Sequence, residues 1–265
     1  MKKIILGCLY LIILGSSSAQ AATLVGYWPF EESSGTTVND QSGFNNDGQL
    51  TGATRSSGKV GGALFFNGIG GVTIPNSPSL DSLSGGFTME AWINQTSFID
   101  YQTIFWKTDR HNRIHMLHFQ VGDGAPANIA GLYGAMNHEV SSGGFEGVAP
   151  STIDLDEWHF VAWTYDESIT RFYDNGVEVF SASFSEPWAG NDIDLLIGFH
   201  PEISSANFIG RIDEARIYLG ALTQDEIIRD MNTAIPEPST FFLFGLGLLG
   251  LIKRSRSQVL CKRTS

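Results

Sequence analysis

The sequence predicts an all-β sandwich of two antiparallel sheets, finished by one short C-terminal helix. Three observations predict it. Short apolar segments recur along most of the 265 residues without a sustained 3.6-residue period. Gly- and Ser-rich links separate them, and Asp174-Asn175-Gly176 has the chemistry of a tight hairpin turn, since Asn and Gly readily take positive φ. Only one helical pattern stands out, residues 223–231, where Thr223 and Glu226 have capping-box spacing. Many strands followed by one helix is the pattern of a β-sandwich.

Strands are expected at residues 23–30, 63–66, 71–74, 87–96, 103–107, 114–121, 158–165, 170–173, 177–183, 195–199 and 209–218. Residues 87–94 show the alternation cleanly: Phe87, Met89, Ala91 and Ile93 share one face, and Thr88, Glu90, Trp92 and Asn94 the other. Trp28, Trp92, Trp158 and Trp163 sit within strand patterns and are expected in the interior. There is no internal repeat and no linker before Ala234.

Both ends of the chain differ from this body. Met1-Lys2-Lys3 is a basic start, residues 4–14 are apolar, and Ser18-Ala19-Gln20-Ala21 has the small-x-small pattern of signal peptidase. Residues 1–21 are therefore expected to be a signal peptide. A lipoprotein box at Cys8 would leave too short an apolar stretch after Lys3. At the other end, Pro236-Glu237-Pro238 cannot be a helix interior, because proline fixes φ and lacks an amide donor. An apolar run over 241–252 follows, shorter than the roughly 20 residues a membrane-crossing helix needs. Lys253, Arg254 and Arg256 then form a basic stop that favours the cytoplasmic side.

These three tail features, in this order, resemble the PEP-CTERM sorting tail of Gram-negative bacteria. The resemblance implies recognition by exosortase, a membrane protease that removes the tail during export. It also implies transient membrane association and delivery to the cell surface or extracellular matrix. The expected organisation is a signal peptide at 1–21, a folded domain at 22–233, a sorting tail at 234–256 and a cytoplasmic extension at 257–265. An ordinary C-terminal anchor is the plainer alternative.

Charge bounds the partners. The chain has 16 Lys and Arg against 28 Asp and Glu, a net charge of −12. All of the acidic residues lie within residues 22–238, which argues against nucleic acid or anionic lipid as a partner. The two cysteines, Cys8 and Cys261, lie in the end segments, so the body must be held by its core or by metal rather than by disulfides.

The body also resembles a family. Its marks are Val25-Gly26-Tyr27-Trp28-Pro29-Phe30-Glu31-Glu32, Asp40-Gln41-Ser42-Gly43, Asn46-Asp47-Gly48 and Gly62-Ala63-Leu64-Phe65-Phe66-Asn67-Gly68. Phe87 to Ile93, Trp158-His159-Phe160-Val161-Ala162, Phe172 to Gly176 and Gly210 to Tyr218 complete the series. Together they look like a laminin G-like, concanavalin A-like jelly roll. The resemblance implies a fold whose members mostly bind glycans, often with calcium, and extracellular polysaccharide as the expected partner.

Specific chemistry is sparser. The catalytic run of the glycosidases on this fold, Glu-x-Asp-x-x-Glu, does not occur, and neither do Gly-x-Ser-x-Gly or His-Glu-x-x-His, so an enzyme is not expected. Asp154-Leu155-Asp156-Glu157 is expected to face water, and adjacent Asp213 and Glu214 to point to opposite faces. His111, His115 and His118 do not share a strand face at metal-binding reach. Calcium wants six to eight oxygens, and the loop 40–47 is rich in them. Asp40, Asn45 and Asp213 are the proposed set; the plainer reading has Asp40 and Asn45 capping turns. For sugar, exposed aromatic faces beside polar groups are needed. Trp188, in a loop next to Asn191 and Asp192, is the first candidate, with Trp106 and Tyr133 as companions. The resulting expectation is a secreted carbohydrate-binding domain; a matrix or adhesion protein with a protein partner, or a glycosidase, are the alternatives.

Overall fold

The computed structural model describes residues 21–97, 101–108, 117–121, 131–136, 144–149, 153–186 and 190–233. In chain order its strands are β1 (Thr23–Trp28), β2 (Thr37–Val38), β3 (Gly48–Thr51), β4 (Thr54–Ser57), β5 (Gly62–Asn67) and β6 (Gly71–Ile74). A short helix α1 (Pro78–Asp81) precedes β7 (Phe87–Gln95), β8 (Gln102–Lys107), β9 (Leu117–Val121), β10 (Leu132–Met136) and β11 (Phe145–Val148). Then come β12 (His159–Tyr165), β13 (Ile169–Asp174), β14 (Val177–Ser183), β15 (Leu195–Ile197), β16 (Ile209–Leu219) and the helix α2 (Gln224–Asn232).

The strands form two sheets with antiparallel pairing throughout. Sheet A runs β14-β13-β12-β7-β16-β5-β4, with β1 also paired to β16. Sheet B runs β11-β10-β9-β8-β15-β6-β3-β2. Alternation works as the sequence predicts: Phe87, Met89, Ala91 and Ile93 enter the core between the sheets, with Trp28, Phe66, Phe105, Phe119, Trp163 and Phe172. Trp163 meets Phe87 edge-on at 4.9 Å and Phe172 at 5.7 Å, the geometry aromatic quadrupoles prefer. Each such side chain, when fully buried, contributes roughly 1.5–3 kcal/mol.

Sheet A has a second apolar layer on its outer face. Trp92, Phe160, Ala162 and Tyr173 point away from the core and are covered by Leu222 and Ile227, the latter on α2. The hairpin between β13 and β14 turns on Asn175 (φ 49°) and Gly176 (φ 77°). A side chain at Gly176 would run into Ile228 of α2, its Cβ only 2.6 Å from the Ile228 Cγ1. The glycine is thus needed both for the turn and for the helix to dock.

Five strands were not anticipated: β2, β3, β4, β10 and β11. All five lie at or next to sheet edges, and β3 (Gly-Gln-Leu-Thr) and β4 (Thr-Arg-Ser-Ser) carry too few apolar residues to show a period. A second correction concerns Asp213 and Glu214. A bulge between Asp213 and Arg216 places Glu214 in the left-handed region (φ 53°), which breaks the alternation. Both carboxylates consequently lie on the outer face of sheet A: Asp213 opposite Trp92, and Glu214 against Tyr27 and Arg216.

Candidate functional site: the outer face of sheet B

In sheet B the core takes Phe105, Phe119, Leu132 and Phe145, so the residues between them face outward. Register aligns them into rows across the strands. Thr103 pairs with Gln120, Gln120 with Tyr133, and Tyr133 with Val148. A parallel row runs from Trp106 through Leu196 and Thr73 to Gln49. The Gln120 amide donates to the Tyr101 carbonyl at 2.8 Å and to the Thr103 hydroxyl at 3.2 Å. Tyr133 donates its hydroxyl to Glu146 at 2.9 Å and packs edgewise on Tyr101 at 5.1 Å. Burial and the Glu146 hydrogen bond push the Tyr133 phenol upward, so it stays a protonated donor at any physiological pH. Trp106 packs on the His200 ring at 4.0 Å. In the neutral His200 ring Nδ1 accepts from the amides of Glu202 and Ile203, which puts the proton on Nε2.

Trp106 and Tyr133 are therefore on one face, as a pair of sugar-binding residues should be, yet each is buried. The exposed aromatic beside Tyr133 is Tyr101, which sequence reasoning missed; its only signal was its place one residue ahead of a strand. Trp188 lies outside the described residues. So do Pro236, Glu237, Pro238, Lys253, Arg254 and Arg256, together with the expected signal peptide and apolar tail. Among the described residues no helix is long and apolar enough to cross a membrane.

The proposed calcium ligands are not brought together. Asp40 accepts from the amides of Tyr27 and Ser42 on Oδ1, and from the Ser42 hydroxyl and the Asn46 amide on Oδ2, all at 2.7–2.9 Å. A carboxylate offers about four lone-pair sites, and all are used here. Tyr27 turns its amide and carbonyl to Asp40 and Gln41, so β1 stands between this loop and β16. Asn45 is exposed in the left-handed region, at φ 59°. Its neighbour Asn46 is the buried one; it donates to the Val25 carbonyl and Ser79 hydroxyl and accepts from the Trp28 indole. Asp213 belongs to another network, accepting from the Val60 amide at 2.9 Å. Burial pushes its pKa up to about 7, against the pull of backbone amides. As one calcium set, Asp40, Asn45 and Asp213 do not fit.

Two other polar clusters are built differently. Beneath α2, Arg216 pairs with Glu214 and reaches Glu90 at 3.5 Å, all three buried. Tyr27 donates to Glu214 at 2.9 Å, and Tyr218 to Asp230 of α2 at 2.6 Å. Burial raises the Glu90 pKa well above the carboxylate range despite the Arg216 guanidinium. At the start of β12, one ligand atom each from Asp154, Glu157 and His159 lies within 4.8 Å of the others. His159 is already engaged on both sides: Nε2 accepts from the Asp154 amide at 3.2 Å, and Nδ1 meets Asp174 at 2.9 Å. Burial lowers its pKa, but Asp174 outweighs this and the net shift is upward.

Comparison with known proteins agrees with this architecture. The PEP-CTERM protein-sorting motif matches residues 234–257, which implies exosortase-dependent processing and export to the cell surface. No curated protein matches the chain. Among solved structures, domain 4 of AbnA, an extracellular arabinanase of Geobacillus stearothermophilus in complex with arabinotriose, is 24% identical with a TM-score of 0.62. That match covers 80% of this chain and 99% of the other. The binding domain of Paraclostridial Mosquitocidal Protein 1 is 18% identical, TM-score 0.61, over 78% of this chain and 51% of its own. Trypanosoma rangeli sialidase in complex with sialic acid is 14% identical, TM-score 0.55, over 79% of this chain and 32% of its own. At these identities the likeness is one of fold. The concanavalin A-like lectin/glucanases superfamily model matches residues 66–228, more than half of the sequence, and the chain belongs to that superfamily.

Proposed function

We propose that the protein is a non-enzymatic carbohydrate-binding module, exported through its sorting tail, that engages extracellular polysaccharide at the cell surface or in the matrix. The observation that carries this reading is the outer face of sheet B, where the exposed Tyr101 and Val148 flank Tyr133, which the register aligns with Gln120 and Thr103 in a row of aromatic and polar groups. Sugars need that combination, apolar faces for C–H and polar groups for hydroxyls. The arabinotriose complex of AbnA domain 4 favours the same reading. The acidic pair most suggestive of hydrolysis, Asp213 and Glu214, is instead tied to the Val60 amide and to Arg216 and Tyr27.

The test is a glycan array probed with recombinant residues 22–233, in calcium and again in EDTA. The expected result is binding to a subset of polysaccharides in both buffers, without release of reducing ends. Binding lost in EDTA would call for a cation at some site other than the saturated Asp40 carboxylate. Reducing-end release would establish a hydrolase. Silence on the array, with capture of a surface protein insensitive to free sugar, would move the function to adhesion.

A further inference from the structure

The edge of sheet B carries a more specific feature. Tyr101 is 37% exposed and Val148 38% exposed, while Tyr133 between them is only 6% exposed. Glu146 and Val148 alternate outward along the edge strand β11, and Glu146 holds the Tyr133 hydroxyl. Tyr101 has φ 59°, a left-handed conformation that is unfavourable for a bulky L-residue. Glycine or asparagine would sit there more cheaply. The fold nevertheless holds a tyrosine in place, through the Gln120 bond to its carbonyl and the Tyr133 ring against its own.

We propose that Tyr101, Val148 and Glu146 form an exposed subsite that takes one unit of a neutral, hydroxyl-rich glycan. The reading rests on carbohydrate binding as the protein's function and adds where it occurs and which class of glycan it admits. The Tyr101 ring and the Val148 methyls supply apolar contact for sugar C–H groups, and the Glu146 carboxylate accepts from hydroxyls. Tyr133 and Gln120 are positioning residues that fix Tyr101 and Glu146. Charge selects the glycan. Glu146 is the acidic member of the patch, and the chain carries a net charge of −12. A uronic-acid or sulfated polymer would meet like charge on arrival; a neutral one would not.

The experiment measures binding of the mature exported protein and its variants to oligosaccharides of neutral arabinan and β-glucan and of acidic alginate. Wild type is expected to bind a neutral probe at least tenfold more tightly than alginate. Tyr101→Gly suits the backbone conformation and removes the ring, so it should weaken that binding about tenfold with the Tm unchanged or raised. Glu146→Gln should narrow the gap between neutral probe and alginate. If wild type binds no oligosaccharide, the carbohydrate reading falls and the subsite with it. If wild type binds a neutral probe but Tyr101→Gly weakens it less than threefold, the subsite alone is overturned. Alginate bound as tightly as the neutral probes overturns the charge selection.

Discussion

The two outer faces of this sandwich have been put to opposite uses. On sheet A, Trp92, Phe160 and Tyr173 are sealed beneath Leu222 and α2, and Arg216 pairs there with Glu214 in the interior, beside the buried Glu90. On sheet B, the outward residues Thr103, Gln120 and Tyr133 form rows of alternating chemistry that end at the exposed Tyr101 and Val148. A face that spends its polar groups on each other contributes stability. A face with an exposed ring at its edge is the one the proposed function assigns to recognition. The contrast predicts that mutations on the two faces will separate cleanly: those on sheet A should move the Tm, and those at the edge of sheet B should move binding.

The sharpest way to break that separation is at Arg216. It is 4% exposed and faces Glu90, which is fully buried, and Glu214. Arg216→Ala would leave the buried Glu214 carboxylate without its cation, and breaking such a pair costs about 3–5 kcal/mol. For a domain of this size that corresponds to a Tm drop of roughly 10 °C or more. At temperatures where the variant is still folded, glycan binding should be unchanged. Thermal melts paired with binding at 15 °C check both halves, and a variant with native Tm but weakened binding would invert the assignment of the faces.

Asp213 sharpens the comparison through pH. Its folded pKa of about 7 stands above the unfolded value of 3.8. The folded state therefore holds more protons than the unfolded one between about pH 4 and pH 7, and stability falls as pH rises through that window. The contribution is fully present below about pH 4 and is at most about 4 kcal/mol, from 1.36 kcal/mol per unit. Asp213→Asn cannot ionise and can still accept from Val60, so denaturant midpoints measured from pH 4 to 8 should fall less steeply than in the wild type. A residual slope is expected, because Glu90 is raised in the same direction. An unchanged slope would show that Asp213 is charged in its pocket.

These examples also show what the sequence could and could not disclose. The core strands were legible because residues 87–94 alternate strictly, and the helix because Thr223 and Glu226 mark its start. The short strands β3 and β4 were not, since four residues with at most one large apolar side chain show no period to detect. The placement of Asp213 and Glu214 was misread for a related reason: parity arguments fail across a bulge, and no residue type at Glu214 advertises a positive φ. At the candidate site, Trp106 and Tyr133 were legible as aromatics but not as neighbours of one face, which depends on pairing β8 through β9 to β10. Asp40 was legible as an oxygen-rich loop residue, while its saturation by Tyr27, Ser42 and Asn46 depends on the loop's closure.

The smallest effect tests whether the lid over sheet A is a cooperative part of the fold. Thr223 caps α2 by accepting from the Glu226 amide, and the Glu226 carboxylate accepts from the Thr223 amide and hydroxyl at 2.8 Å. These bonds lower the Glu226 pKa, so its contribution has the opposite sign to that of Asp213: it is present above the unfolded pKa and lost as pH falls. Thr223→Ala removes the cap at a cost of about 1 kcal/mol, worth roughly 2–4 °C in Tm at this size. If α2 is integral, the loss appears as a single cooperative shift, because Ile227 and Ile228 hold the helix on Phe160 and the β13–β14 hairpin. If α2 frays on its own, amide exchange in 224–232 will quicken while the Tm stays put. The closed face of the sandwich would then be closed by its ion pairs and aromatics alone.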